Sequence, residues 1–149
     1  MNYLLDTNVL SEIRRPAPDR RVLEWLDAVD EDRVYLSVIS IAEIARGVAL
    51  LDEGQRKRDL ADWLQHALPA RFDARMLVVD APVALIWGKL LADAKRAGQG
   101  LSVMDGWIAA IALAHQLTLV TRNTRDFQNL GIALFDPWAL PGDGDKEGK

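Results

Sequence analysis

The chain has 149 residues, a formal net charge of −4 and no cysteine, and half of its residues are hydrophobic. That length suits one domain able to bury roughly 70% of its unfolded surface, and the apolar content argues against disorder. The lack of cysteine excludes disulfides and thiolate zinc sites, and the acidic balance weighs against a protein that coats nucleic acid through Lys and Arg.

Tyr3-Leu4-Leu5 is predicted as a first buried strand, with Asp6 the first polar residue beyond it. A short helix should follow and end at Pro16-Ala17-Pro18, because proline is poorly tolerated inside a helix. The next helix carries Val22, Trp25, Leu26 and Val29. Residues 34–36 form the second expected strand. Beyond it, Ile41, Ile44, Ala45, Val48 and Leu51 follow the 3.6-residue period, as do Leu60, Ala61, Leu64 and Leu68. Residues 76–79 are the third strand. The clearest helix holds Val83, Ile86, Trp87, Leu90, Leu91 and Ala94, and Ala97-Gly98-Gln99-Gly100 closes it with glycine, a common C-terminal cap. Met104, Trp107, Ile108, Ile111 and His115 make another stripe before strands at 118–121 and 132–135.

Strands alternating with helices imply βα units, hence an α/β fold in three layers, α/β/α, around a mainly parallel five-stranded sheet. Residues 1–140 are expected as one domain and 141–149, rich in Gly, Asp and Lys, as a frayed tail. No apolar stretch reaches the roughly 20 residues that span a bilayer. The start lacks a basic segment followed by an apolar run, so no secretory leader is expected and the cytoplasm is the natural location.

Trp25, Trp87 and Trp107 fall on apolar helical stripes, which favours core packing over base stacking. His66 and His115 are isolated, and no Gly-rich phosphate loop is present. Arg14, Arg15, Arg20 and Arg21 cluster early, Arg56-Lys57-Arg58 follow, and Arg122 and Arg125 come late; solvated helix faces are the plain reading of such runs, and contact with a phosphate backbone is the alternative.

Four acids stand where elements meet. Asp6 follows the first strand. Ser40-Ile41-Ala42-Glu43, Ser102-Val103-Met104-Asp105 and Asn123-Thr124-Arg125-Asp126 each place an acid three positions after a capping residue. Taken singly, each fits helix capping, in which side chains satisfy free backbone N–H groups. Taken together, they follow strand ends or open helices on one sheet, and in a parallel sheet those ends share a rim. Like charges at close range are unfavourable, so converging carboxylates point to a bound cation. Oxygen-only ligation selects Mg²⁺ or Mn²⁺, ions that serve phosphoryl chemistry by activating water and neutralising phosphate oxygens.

At these residues the chain resembles the PIN-domain ribonucleases, in the branch of the VapC and FitB toxins. The resemblance is carried by Leu4-Leu5-Asp6-Thr7-Asn8, Ala42-Glu43-Ile44, Met104-Asp105-Gly106-Trp107-Ile108-Ala109, Thr121-Arg122-Asn123-Thr124-Arg125-Asp126-Phe127 and Phe135-Asp136-Pro137-Trp138. It implies a Mg²⁺-dependent endoribonuclease, Mn²⁺ substituting, that is the toxin half of a toxin–antitoxin pair, forms a homodimer and is inhibited by a cognate antitoxin protein. Asp6, Glu43 and Asp105 match the family's metal-binding acids. For the fourth position some members carry an acid where Asn123 stands, and others have Asn there with an Asp three residues on, as here; Asp126 is then expected to act through water.

In this assignment Thr7, Asn8, Thr121 and Asn123 orient water or phosphate, and Arg46, one turn from Glu43, reaches a phosphate or pairs with Glu43. Two alternatives remain open at this level. An aspartyl-phosphate phosphatase or transferase also places Asp after a first strand, but it generally needs a second acid where this chain has Asn8. A catalytically silent interaction module would use the acids only as caps.

Overall fold

The structure, a computed structural model, describes residues 1–141; the expected tail at 141–149, apart from Pro141, lies outside the described residues. The strands β1 (Tyr3–Leu5), β2 (Val34–Ser37), β3 (Met76–Leu77), β4 (Thr118–Val120) and β5 (Leu134–Phe135) form one all-parallel sheet in the order β3-β2-β1-β4-β5. Between them run α1 (Thr7–Ile13), α2 (Arg20–Ala28), α3 (Val38–Ala49), α4 (Gln55–Asp62), α5 (Leu68–Phe72), α6 (Ala81–Arg96) and α7 (Val103–Ala114).

Successive strand side chains point to opposite faces, and each face has its own apolar layer. Leu5, Val34, Leu36 and Val120 pack with Val9, Leu10, Val22, Leu64, Leu68 and Phe72 on one side. Leu4 and Leu119 pack with Val83, Ile108, Ile111 and Phe127 on the other. The expected three-layer α/β/α arrangement is therefore present. α7 is buried nearly all round, as its apolar sequence requires. It presses on α6 so closely that a Cβ on Gly106 would lie 2.5 Å from Leu91 Cδ2, and Trp87 stacks on Trp107 with ring centroids 4.4 Å apart. Gly98 closes α6 at φ +68°, the left-handed conformation that glycine adopts without strain.

Several boundaries differ from expectation. β3 stops at Leu77, because its partner β2 ends at Ser37 and residue 78 would face Val38, already helical; Val78 and Val79 are exposed instead. β5 is likewise only two residues long. The third amphipathic segment is interrupted: α4 passes through a π-helical turn, Trp63–Ala67, before α5. Pro69, which has no N–H for the preceding turn, lies just beyond it. No helix among the described residues is long and apolar enough to cross a membrane.

Candidate active site

The chain lays down β1, β2 and β3 in one direction and then returns to β4 on the other side of β1. Ligands of open α/β sheets bind outside the carboxyl ends of the strands where the order reverses. Here that point lies between β1 and β4, and Asp6 and Thr121 are the residues that leave the two strands.

Asp6 is 5% exposed and fully engaged. Its amide donates to the Val120 carbonyl at 2.9 Å. Its Oδ1 accepts the Thr7 N–H at 2.8 Å, capping α1, and its Oδ2 accepts the Thr121 hydroxyl at 2.7 Å and Asn8 Nδ2 at 3.4 Å. Asn8 Nδ2 also reaches Thr121 Oγ1 at 3.2 Å, while Asn8 Oδ1 accepts the Arg122 N–H at 3.4 Å. Thr121 is completely buried and accepts the Asn123 N–H at 3.0 Å. It is thus placed behind Asp6, fixing that carboxylate, rather than in contact with water or phosphate as expected.

The helix carrying Glu43 begins earlier than the sequence suggested. β2 extends to Ser37, and Ser37, not Ser40, caps α3 by accepting the Ser40 N–H at 3.2 Å. Glu43 therefore lies beyond the first turn and is not a capping-box acid. Its Oε1 stands 2.8 Å from the Thr7 hydroxyl, which is also 2.9 Å from the Ser40 hydroxyl. The single Thr7 proton goes to the carboxylate, an acceptor only, so Ser40 supplies the hydrogen of the other contact. Arg46 is exposed and does not line the crevice described below.

Asp105 sits in the first turn of α7, with its own N–H donated to the capping Ser102 hydroxyl at 3.1 Å. Asn123 precedes the short 3₁₀ helix Thr124–Phe127 and makes no side-chain cap bond to it, against expectation; Asp126 is exposed, with its amide donating to the Asn123 carbonyl at 3.0 Å.

Asp6, Glu43 and Asp105 line one open crevice of about 370 Å³, with Thr7, Asn8 and Asn123 between them. Burial is the main force that pushes the Asp6 carboxyl up from 3.8 to about 6, and the neighbouring Asp105 and Glu43 charges push the same way; the Thr121 hydroxyl and Thr7 amide oppose them. Asp105 is also raised, first by burial and then by Asp126 and Glu43, with the Ser102 contact opposing. Asp126 does not line the crevice; its charge only adds to the repulsion that raises Asp105.

Glu12, Arg15, Arg122 and Trp138 also line the crevice; the sequence offered Arg15 and Arg122 only as members of basic clusters and Trp138 only within a motif, and it did not offer Glu12. For Glu12 a signal existed: Asn8 and Glu12 lie four apart on α1, so they share a helix face, whereas Arg15 lies just past the end of that helix.

The raised Asp6 pKa has a measurable consequence for the metal-free protein. A carboxyl whose pKa is higher folded than unfolded binds protons more tightly when folded. Its stabilisation is complete below the unfolded pKa and is lost as pH rises through the window from 3.8 to about 6. The loss amounts to about 3 kcal/mol by neutral pH, at 1.36 kcal/mol per unit. Asp6→Asn cannot ionise. In EDTA its stability relative to wild type should improve by about that amount between pH 4 and pH 7, read as the change in the difference between two urea transitions. A pH-independent difference would show that Asp6 is not strained when charged.

An all-oxygen donor set with mutually repelling carboxylates suits a hard divalent cation. Among the described residues, however, no three acidic or imidazole side chains are gathered closely enough to ligate one ion. The two observations agree for Mg²⁺, which commonly keeps several waters and takes only one or two carboxylates directly.

The chain matches the PIN domain over residues 3–133. It is 44% identical over 135 residues to Toxin FitB of Neisseria gonorrhoeae, covering 91% of this chain and 97% of that protein. It is 36% identical to a VapC ribonuclease of Sinorhizobium fredii, covering 91% and 96% respectively. Its fold superimposes on the crystal structure of FitAcB from Neisseria gonorrhoeae with a TM-score of 0.87 at 44% identity, covering 93% of this chain and 99% of that one. The chain belongs to the PIN-domain family, as the motifs around Asp6, Glu43 and Asp105 implied.

Proposed function

We propose that this PIN-domain chain is a Mg²⁺-dependent endoribonuclease, Mn²⁺ substituting, that serves as the toxin of a toxin–antitoxin pair. The observation that carries the reading is the convergence of Asp6, Glu43 and Asp105 on the crevice at the β1/β4 switch point, with Asp6 held above the ordinary carboxylate range by burial and by the other two acids. The relatives named as a toxin and as a ribonuclease support the reaction and the biological role. A cognate antitoxin protein, a homodimer and a cytoplasmic location belong to the same proposal.

Asp6 and Asp105 would hold the ion, with Glu43 as a further ligand or as the base that positions water. When bound, the ion supplies activated water and neutralises phosphate oxygens. The chain's own groups hold these parts in place. Thr121 and the Thr7 amide fix both oxygens of Asp6. The Thr7 hydroxyl, backed by Ser40, orients Glu43. Asn8 and Asn123 offer polar contacts on the crevice wall.

A circular RNA tests the endonuclease assignment, since only internal cleavage opens it. The purified chain with Mg²⁺ should linearise the circle, and induced expression in a bacterial host should arrest growth. Intact circles would defeat the assignment.

The fourth position gives a separate expectation. Asp126 raises the Asp105 carboxyl by repulsion, so it adds negative charge beside the proposed cation site. Asp126→Ala should lower the cleavage rate, though less than any change at Asp6, while Asn123→Asp should keep activity. A fully active Asp126→Ala enzyme would leave a site of three acids, Asp6, Glu43 and Asp105.

A further inference from the structure

We infer that Arg15 and Arg122 form a phosphate-binding wall of the acidic crevice, and that buried Glu12 is the positioning residue that aims Arg15 along it. The inference rests on the ribonuclease reading and names the groups by which that site would hold an RNA strand.

Of the early and late basic clusters, only these two arginines line the crevice. Arg14 instead lies over the Trp63 ring at 5.2 Å, and Arg125 borders a different cavity between α6 and the segment after β4. Arg15 Nη1 stands 3.2 Å from Glu12 Oε1 and 3.4 Å from Oε2. The Glu12 side chain is 4% exposed and that of Arg15 61%. Glu12 Oε2 also accepts the Asp19 N–H at 3.2 Å. An ordinary surface pair joins two mobile side chains and contributes little. Here one partner is immobilised in the interior, so the pair fixes the direction of a guanidinium that remains open to solvent.

Arg122 is held by different means. Its guanidinium lies 5.5 Å from the centroid of Trp138, which is 6% exposed. Its backbone N–H donates to Asn8, the residue that also contacts Asp6. Trp138 is therefore a platform for Arg122 and not a surface for bases.

The chemistry requires such a wall. Asp6, Glu43 and Asp105 repel a polyanion, and a divalent ion compensates only at the phosphate being cut. Neighbouring phosphates need fixed cations, and the planar guanidinium fork matches phosphate geometry. Glu12 looks unsuited to a phosphate-binding region, yet as an anchor it adds a directed cation while keeping its own charge buried.

The test is binding of a fluorescein-labelled oligouridylate, followed by anisotropy in EDTA across a salt series, with Asp6→Asn as the non-cleaving parent. Each phosphate contact on single strands contributes about 0.7 to the slope of log K against log salt. Arg15→Gln and Arg122→Gln should each lower the slope by about 0.7 and weaken binding, whereas Arg15→Lys should keep the slope. Arg96→Gln, which removes the same charge from α6, should leave it unaltered. Glu12→Gln separates positioning from plain charge: loss of a negative charge alone would tighten binding, whereas release of Arg15 weakens it. Added to Arg15→Gln, it should cost nothing further. Unchanged slopes in both arginine variants, or tighter binding by Glu12→Gln, would overturn the inference while leaving the ribonuclease reading intact. A wild-type chain that neither binds nor cleaves RNA would remove both.

Discussion

Asp6→Asn should lower RNA cleavage by more than about 100-fold while leaving the protein folded. Residues that merely orient a metal ligand are worth 10–100-fold, and Asp6 is proposed as a ligand itself. Both of its oxygens are already set by hydrogen bonds, from Thr7 N–H at 2.8 Å and from the Thr121 hydroxyl at 2.7 Å. The substitution preserves shape and removes the charge on which cation binding depends. Loss of folding does not explain the expected result, because the variant escapes the cost of a buried, repelled carboxylate. Cleavage rate and far-UV circular dichroism measured on one preparation check both halves. Near wild-type cleavage by a folded variant would put the site elsewhere.

Mg²⁺ or Mn²⁺ should raise the melting temperature, while NaCl at equal ionic strength should not. An ion that binds only the folded state stabilises it by about 2.7 kcal/mol at a hundred times its dissociation constant. That corresponds to several degrees for a chain of this size. Asp105→Asn should blunt the response, because it removes one of the proposed ligands and one of the charges that repel Asp6. If Asp105 were only a first-turn acid, the variant would lose roughly 0.3–1 kcal/mol of dipole interaction and metal would change nothing. A thermal scan of both proteins with and without Mn²⁺ separates the two cases.

The layers and most elements were legible because local and global signals coincide. The strand Tyr3–Leu5 is apolar and feeds both cores, and the glycine after α6 takes the left-handed conformation its position suggested. Where elements end was less legible, since pairing depends on the partner strand. β3 stops where β2 becomes helix, and nothing in Val78-Val79 announces this. The same cause misplaced the cap of α3. Ser37 and Ser40 are equally good caps by residue type, and only the extra strand residue decides for Ser37.

The acids Asp6, Glu43 and Asp105 stood out as charges beside apolar elements, and the crevice does bring them together. Their supports were less visible. Thr121 looked like a group facing substrate, and only the folded chain puts it behind Asp6. Glu12 drew no notice as one acid of a short helix, and only the folded chain shows it buried and accepting the Asp19 N–H.

The most direct test is cleavage of a single RNA by the purified chain under three conditions: with Mg²⁺, with EDTA, and with Mg²⁺ restored after EDTA, each beside Asp6→Asn. The expected result is cleavage with Mg²⁺, none in EDTA, recovery on restoration, and no comparable activity from the variant at any stage. Cleavage that persists in EDTA, or that Asp6→Asn carries out as fast as wild type, would contradict a metal-dependent site built on Asp6, Glu43 and Asp105.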